Sequence, residues 1–236
     1  MVHSAKQLHG YRVEALDGEI GQVKGFYFDD KDWVIRYLIV DASPALPNRK
    51  LLISPYALGD ISTPGKAVEV KLSREKLENS PSIEAQLPMA RQHEREYYRY
   101  YNWPVYWGGP GCWGVNPVPL ATSYYQPPIK ETLAGRDEVD SHLRSTQEVT
   151  GYNIQNLDGE IGHLEDFLIE EWSWAIRSLV VASSQWWSAK NLLISPHSID
   201  EVNWKDSKMF AHVSRSKVRK EPECANEPFS SGTLKK

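Results

Sequence analysis

Two cysteines in 236 residues, Cys112 and Cys224, exclude a disulfide scaffold, and their separation matches no zinc-ligand spacing. No window approaches the ~18 apolar residues that a membrane-spanning helix needs. Met1 to His9 lacks the apolar stretch of a secretory leader, so the expected location is a reducing cytoplasm. Charge of one sign is missing as well. Formal net charge is -4, and each segment is near balance. Residues 10–81 hold 10 Lys+Arg against 11 Asp+Glu, 82–150 hold 6 against 8, and 151–222 hold 8 against 10. No basic stripe marks a nucleic-acid surface, which weighs against such a partner.

The chemistry of catalysis is equally sparse. The seven histidines (3, 9, 93, 142, 163, 197 and 212) show no His-x3-His pairing, the spacing that sets two ligands on one metal. None recurs between the two halves described below. Ser54 and Ser195 sit in Ile-Ser-Pro rather than in a Gly-x-Ser-x-Gly elbow. Asp29 to Asp32 offers carboxylates without the regular spacing and glycine of a calcium loop. The expectation is a chain without catalytic residues, metal or cofactor.

What is present is a duplication. At an offset of 151 − 10 = 141, Gly10-Tyr11 recurs as Gly151-Tyr152, and Leu16 to Gly21 recurs as Leu157 to Gly162. Trp33 maps onto Trp174, Ile35-Arg36 onto Ile176-Arg177, and Leu51 to Pro55 onto Leu192 to Pro196. Without a gap, 24 of the 72 positions in 10–81 are identical to 151–222, so one domain occurs twice.

Each copy reads as short strands. Asp17-Gly18 and Asp158-Gly159 are hairpin dipeptides. Ile20 to Phe28 is a long strand whose apolar parity changes, placing a bulge at Gly21 or Gly25. Val34 to Val40 is apolar on both faces, Leu51 to Ile53 is short and buried, and Pro55 ends its ladder. Val68, Val70 and Leu72 alternate, and Ser73 caps a short helix over Arg74 to Glu78. Five or six strands in about 70 residues suit a small closed barrel, since closure removes exposed edges.

The Asp-Gly-x-x-Gly turn, the Ile-Arg-Tyr-Leu-x-Val strand and the Leu-Leu-Ile-Ser-Pro strand end together resemble the PRC-barrel family. Asp17, Gly18, Gly21, Arg36, Tyr37, Leu38 and Ile53 to Pro55 carry the likeness in the first copy. Asp158, Gly159, Gly162, Arg177, Leu179 and Ile194 to Pro196 carry it in the second, where Ser178 replaces the tyrosine. The resemblance implies an all-β chain of two small PRC-type barrels, 10–81 and 151–222. A nine-residue tail precedes them, a long connector over 82–150 joins them, and a tail over 223–236 follows. The family includes the cytoplasmic domain of the photosynthetic reaction-centre H subunit, the C-terminal domain of a ribosome maturation factor, and many stand-alone bacterial proteins. It implies a non-enzymatic interaction or scaffold module with a protein partner or a second copy. The alternatives are an accessory of a photosynthetic or other membrane electron-transfer complex, bound peripherally, and a ribosome or RNA-assembly factor. Glu19 and Glu160 lie where the H-subunit barrel supplies proton-carrying carboxylates; exposed turn residues are the simpler expectation.

The candidate interface residues are Trp186, Trp187, Arg36 and Arg177. Trp186-Trp187 replace Ala45-Leu46 in a loop, where adjacent tryptophans either anchor an interface or pack on the connector. Arg36 and Arg177 fall mid-strand, facing outward, paired with a carboxylate or turned to a partner. Trp33 and Trp174, shared by the copies, belong to the core. Within the connector, Met89 to Tyr101 reads as a short helix ended before Pro104. The aromatic, Gly- and Pro-rich run from Trp103 to Trp113 either wraps a barrel or serves as a tether.

Overall fold

The structure, a computed structural model, describes residues 1–43, 46, 49–81, 91–107, 109–121, 142–156, 159–183, 191–212 and 219–220. Trp186 and Trp187 lie outside them. The chain is mostly β. In order, the elements are β1 (Val2–Ser4), α1 (Ala5–Leu8), β2 (Arg12–Ala15), β3 (Gly18–Asp29), β4 (Val34–Asp41), β5 (Lys50–Ile53), β6 (Leu58–Ser62), β7 (Ala67–Val70), α2 (Arg74–Glu78) and α3 (Arg91–Tyr101). Then come β8 (Leu143–Ser145), α4 (Thr146–Val149), β9 (Asn153–Asn156), β10 (Gly159–Glu170), β11 (Ile176–Ser183), β12 (Asn191–Ile194), β13 (Ile199–Asn203), β14 (Lys208–Ala211) and β15 (Arg219–Lys220). Short 3-10 turns, Pro55–Ala57 and Pro196–Ser198, follow β5 and β12.

The chain forms two compact units, one of residues 8–145 with 172–174 and the other of 1–7, 146–171 and 175–236. The first unit, built on the first repeat, has the strand order β5-β4-β3-β2-β7-β6, with β8 added to β3. The second runs β13-β14-β9-β10-β11-β12-β15, with β1 added to β10. Pairing is antiparallel except for β2 with β7 and β9 with β14, which are parallel. The cores are Val13, Ile20, Phe26, Ile35, Leu38, Ile53 and Val68 in the first unit, and Ile154, Ile161, Phe167, Leu179, Ile194 and Met209 in the second.

Gly21 lets the end of β4 approach β3 closely. A Cβ there would stand 2.1 Å from the Asp41 carbonyl oxygen, and one at Gly162 would stand 2.0 Å from that of Ala182. Only glycine admits the backbone of the next strand that closely. The ladder slips where the parity of the sequence changes, between Val23 and Gly25. Trp33 and Trp174, at one repeat position, both have left-handed φ values of 54° and 59° and are buried.

The nine residues expected as a tail form β1 and α1, and their repeat equivalents form β8 and α4 inside the expected connector. The repeat thus starts at residue 2. In each unit the added strand comes from the other repeat: Ser4 sits opposite Leu168, and Ser145 sits opposite Tyr27. The ties are local chemistry. His3 Nε2 is 3.1 Å from Glu171 Oε2, the Ser4 hydroxyl and the Lys6 N–H donate to Asp166, and Arg144 Nε donates to Asp30 at 2.9 Å.

Candidate functional site

The candidate site is one face of the repeat, seen twice. On the first unit it centres on β4, whose residues 34–40 are all buried on both sides. The inner side is the core; the outer side is covered by α3 and the aromatic loop after it. Glu94, Tyr97, Tyr98 and Tyr101 are buried while His93, Arg95 and Glu96 are exposed. That i, i+3, i+4, i+7 spacing forms one helical stripe. Tyrosine is a middling helix former, so packing decides this helix. It ends as a Schellman turn, with Asn102 at φ 57° and the Trp103 N–H donating to the Tyr98 carbonyl at 3.0 Å, and Pro104 follows.

At the centre lies Arg36, with none of its surface exposed. Its Nη2 is 2.7 Å from Asp32 Oδ2 and 3.5 Å from Asp29 Oδ2. Its Nη1 donates to the Cys112 carbonyl. The Tyr106 ring lies over the guanidinium, 3.9 Å from Cζ to centroid, and Trp113 lies at 5.0 Å. Arg36 therefore has no surface to offer a partner while 91–120 is seated. The pairing with a neighbouring carboxylate read from its strand position is present with Asp32 and Asp29, while the exposure to solvent or a partner is corrected by the cover.

Beside it, Glu94 Oε1 accepts from Tyr37 Oη at 2.8 Å and Tyr106 Oη at 2.9 Å, and Glu94 Oε2 accepts from Arg91 Nη1 at 3.0 Å. Burial pushes the Glu94 carboxyl above its usual range, outweighing the lowering by Arg91 and the two phenols. Burial likewise drives the Tyr37 phenol well up and the Tyr56 phenol up to about 12, so both stay protonated. Tyr97 Oη donates to the Leu52 carbonyl at 2.7 Å and accepts from the Ser54 N–H at 3.2 Å. The Tyr56 ring packs among Trp103 and Trp113. A buried carboxylate satisfied by three donors fixes the register of the helix on the strand.

The second unit carries the same face, and among the described residues it has no such cover. Arg177 holds the place of Arg36, yet 52% of its side chain is exposed; Glu170 accepts from its Nη2 at 2.6 Å. Ser178 stands for Tyr37 and is half-buried, while Ser195 and His197 stand for the buried Ser54 and Tyr56 and are exposed. Leu192 and Leu193 are half-buried where Leu51 and Leu52 are buried. Arg36 and Arg177 are equivalent in sequence and opposite in environment.

Other singled-out residues fall apart. Glu19 and Glu160 are exposed, and Asp29 and Asp32 are committed to Arg36. No grouping of three or more His, Cys, Asp or Glu could hold a metal among the described residues. No described helix is long and apolar enough to cross a membrane. Sequence reasoning missed Glu94, Tyr97 and Tyr98 as site residues, although the 94, 97, 98, 101 stripe was the available signal. Neither a family model nor a curated protein matches the chain.

Proposed function

We propose that the chain is a non-enzymatic protein-interaction module built on two PRC-type barrels, and that the uncovered face of the second repeat receives a protein partner. One observation carries this reading. The arginine shared by the repeats is wholly enclosed in the first and half exposed in the second, so among the described residues one face has its occupant and its duplicate does not. Arginine is among the side chains enriched at interface anchors, and half-buried Leu192 and Leu193 give this face apolar area to cover. The test is partner capture by the full chain against an Arg177→Glu, His197→Glu variant. Loss of a captured protein at unchanged melting temperature supports the reading. Equal capture by both chains, or salt-sensitive retention on heparin in its place, removes it.

A further inference from the structure

The cover on the first repeat is attached unlike a part of the sheet. Among the described residues, its backbone hydrogen bonds outside α3 close within the cover: Trp103 to Tyr98, Gly111 to Gly114, Gly114 to Tyr106 and Trp113 to Asn116. Its ties to the rest of the unit run through side chains instead, among them Tyr37 to Glu94, Tyr97 to Leu52 and Ser54, Arg36 to Cys112, Trp113 to the Ser173 carbonyl and Tyr100 to the Lys76 carbonyl. Arg36 Nε and Tyr56 Oη are buried beneath it with no hydrogen-bond partner, so closure leaves polar groups that water would satisfy. Among the described residues, the second repeat forms its equivalents of β2 to β7 without such a cover.

We infer that residues 91–120 are a displaceable intramolecular ligand: they leave the first repeat as a unit while its sheet stays folded, and the uncovered face takes a tyrosine-rich helix bearing one carboxylate. This rests on the interaction reading above. The chemistry of the face selects that partner. Tyr37 Oη receives a carboxylate, Arg36 Nη1 receives a backbone carbonyl, the Leu52 carbonyl and Ser54 N–H receive a phenol, and the Tyr56 ring lines an aromatic slot. The second repeat substitutes Ser178 and His197 at the Tyr37 and Tyr56 positions, so it does not select the same helix.

Two measurements on the full chain test this. In hydrogen exchange, the amides of residues 95–101 are expected to exchange at least about tenfold faster than those of Leu38 to Val40, through an opening that leaves the strands protected. Matching protection, lost together only on global unfolding, makes the cover part of the core and overturns the inference. In the second, a fluorescein-labelled synthetic peptide of residues 91–120 is added to wild type and to Glu94→Lys. The peptide is expected to bind the variant at least about tenfold more tightly, because the resident cover no longer competes, and Tyr37→Ala is expected to abolish that binding. Binding to neither chain overturns the inference. Opening and peptide binding alongside unchanged capture by the Arg177 variant would leave this inference standing and remove only the second-repeat interface.

Discussion

Arg36 and Arg177 stand 141 positions apart at the same place in two copies of one strand, and only Arg36 is sealed between two carboxylates and two aromatic rings. Removing it leaves the buried Asp29 carboxylate without its counter-ion, held only by the Lys31 and Asp32 N–H groups, and takes the donor from the Cys112 carbonyl. Arg36→Ala is therefore expected to cost about 3–5 kcal/mol, the penalty of breaking a buried pair. Arg177→Ala removes an exposed pair and is expected to cost about 1 kcal/mol or less. Urea unfolding of the two variants checks the contrast; equal midpoints would show that the cover adds nothing to the Arg36 environment.

Glu94 gives the cover a pH dependence of definite sign. Its folded pKa is raised, chiefly by burial, so the folded state binds the proton more tightly than the unfolded chain does. Its contribution is therefore complete below the unfolded value of about 4.3 and declines as pH rises through the raised folded value. Above that it is constant. Asp30 and Asp166, also raised mainly by burial, act in the same direction, so the comparison must isolate Glu94. The stability difference between wild type and Glu94→Gln is expected to fall with pH across that window. A difference independent of pH from 4 to 8 contradicts it.

Gly21 and Gly162 face a backbone carbonyl at a distance no Cβ tolerates. Gly21→Ala and Gly162→Ala should each destabilise their own unit by about 1–3 kcal/mol, the usual range for overpacking a closed contact. Amide exchange in β3 and β10 would rise accordingly. A neutral result would mean that the two strands part there without resistance.

The leading strand β1 is held by His3, Ser4 and Lys6 on Glu171, Asp166 and Glu165. Deleting residues 1–7 bares the edge of β10 at Leu168 to Glu170. Exchange at those amides should rise sharply, while β3 beside β8 keeps its protection. Unchanged protection at Leu168 would show that β1 contributes no pairing.

The parts of the fold legible in the sequence are those fixed by short-range patterns. The 141-residue offset, the Leu51 to Pro55 strand end and the Ser73 cap needed only neighbours and turn chemistry, and α2 starts at Arg74 with Ser73 Oγ accepting from the Lys76 N–H. Strands β1 and β8 were not legible. They are three residues long, share only Ser4 and Ser145 between copies, and pair with strands more than 110 residues away, so no local periodicity encodes them. Asp17 illustrates the same limit: its carboxylate accepts from the Arg74 N–H at 2.7 Å rather than from its own turn. The fate of Arg36 depended on a helix 55 residues further on, and a strand pattern cannot distinguish a charge facing water from one facing Tyr106. The left-handed backbone at Trp33 and Trp174 runs against the preference of a bulky side chain, and no propensity points to it.

The borrowed strands also set an order of events during synthesis. Val2 leaves the ribosome 168 residues ahead of its partner Glu170. At roughly 5–20 residues per second, that is a wait of roughly ten to thirty seconds. Strand β3 likewise waits for β8, so the first repeat emerges whole in sequence yet lacks one strand of its final sheet until the second repeat has begun. The nascent chain carries open edges on both counts, a period when holdase chaperones have something to grip.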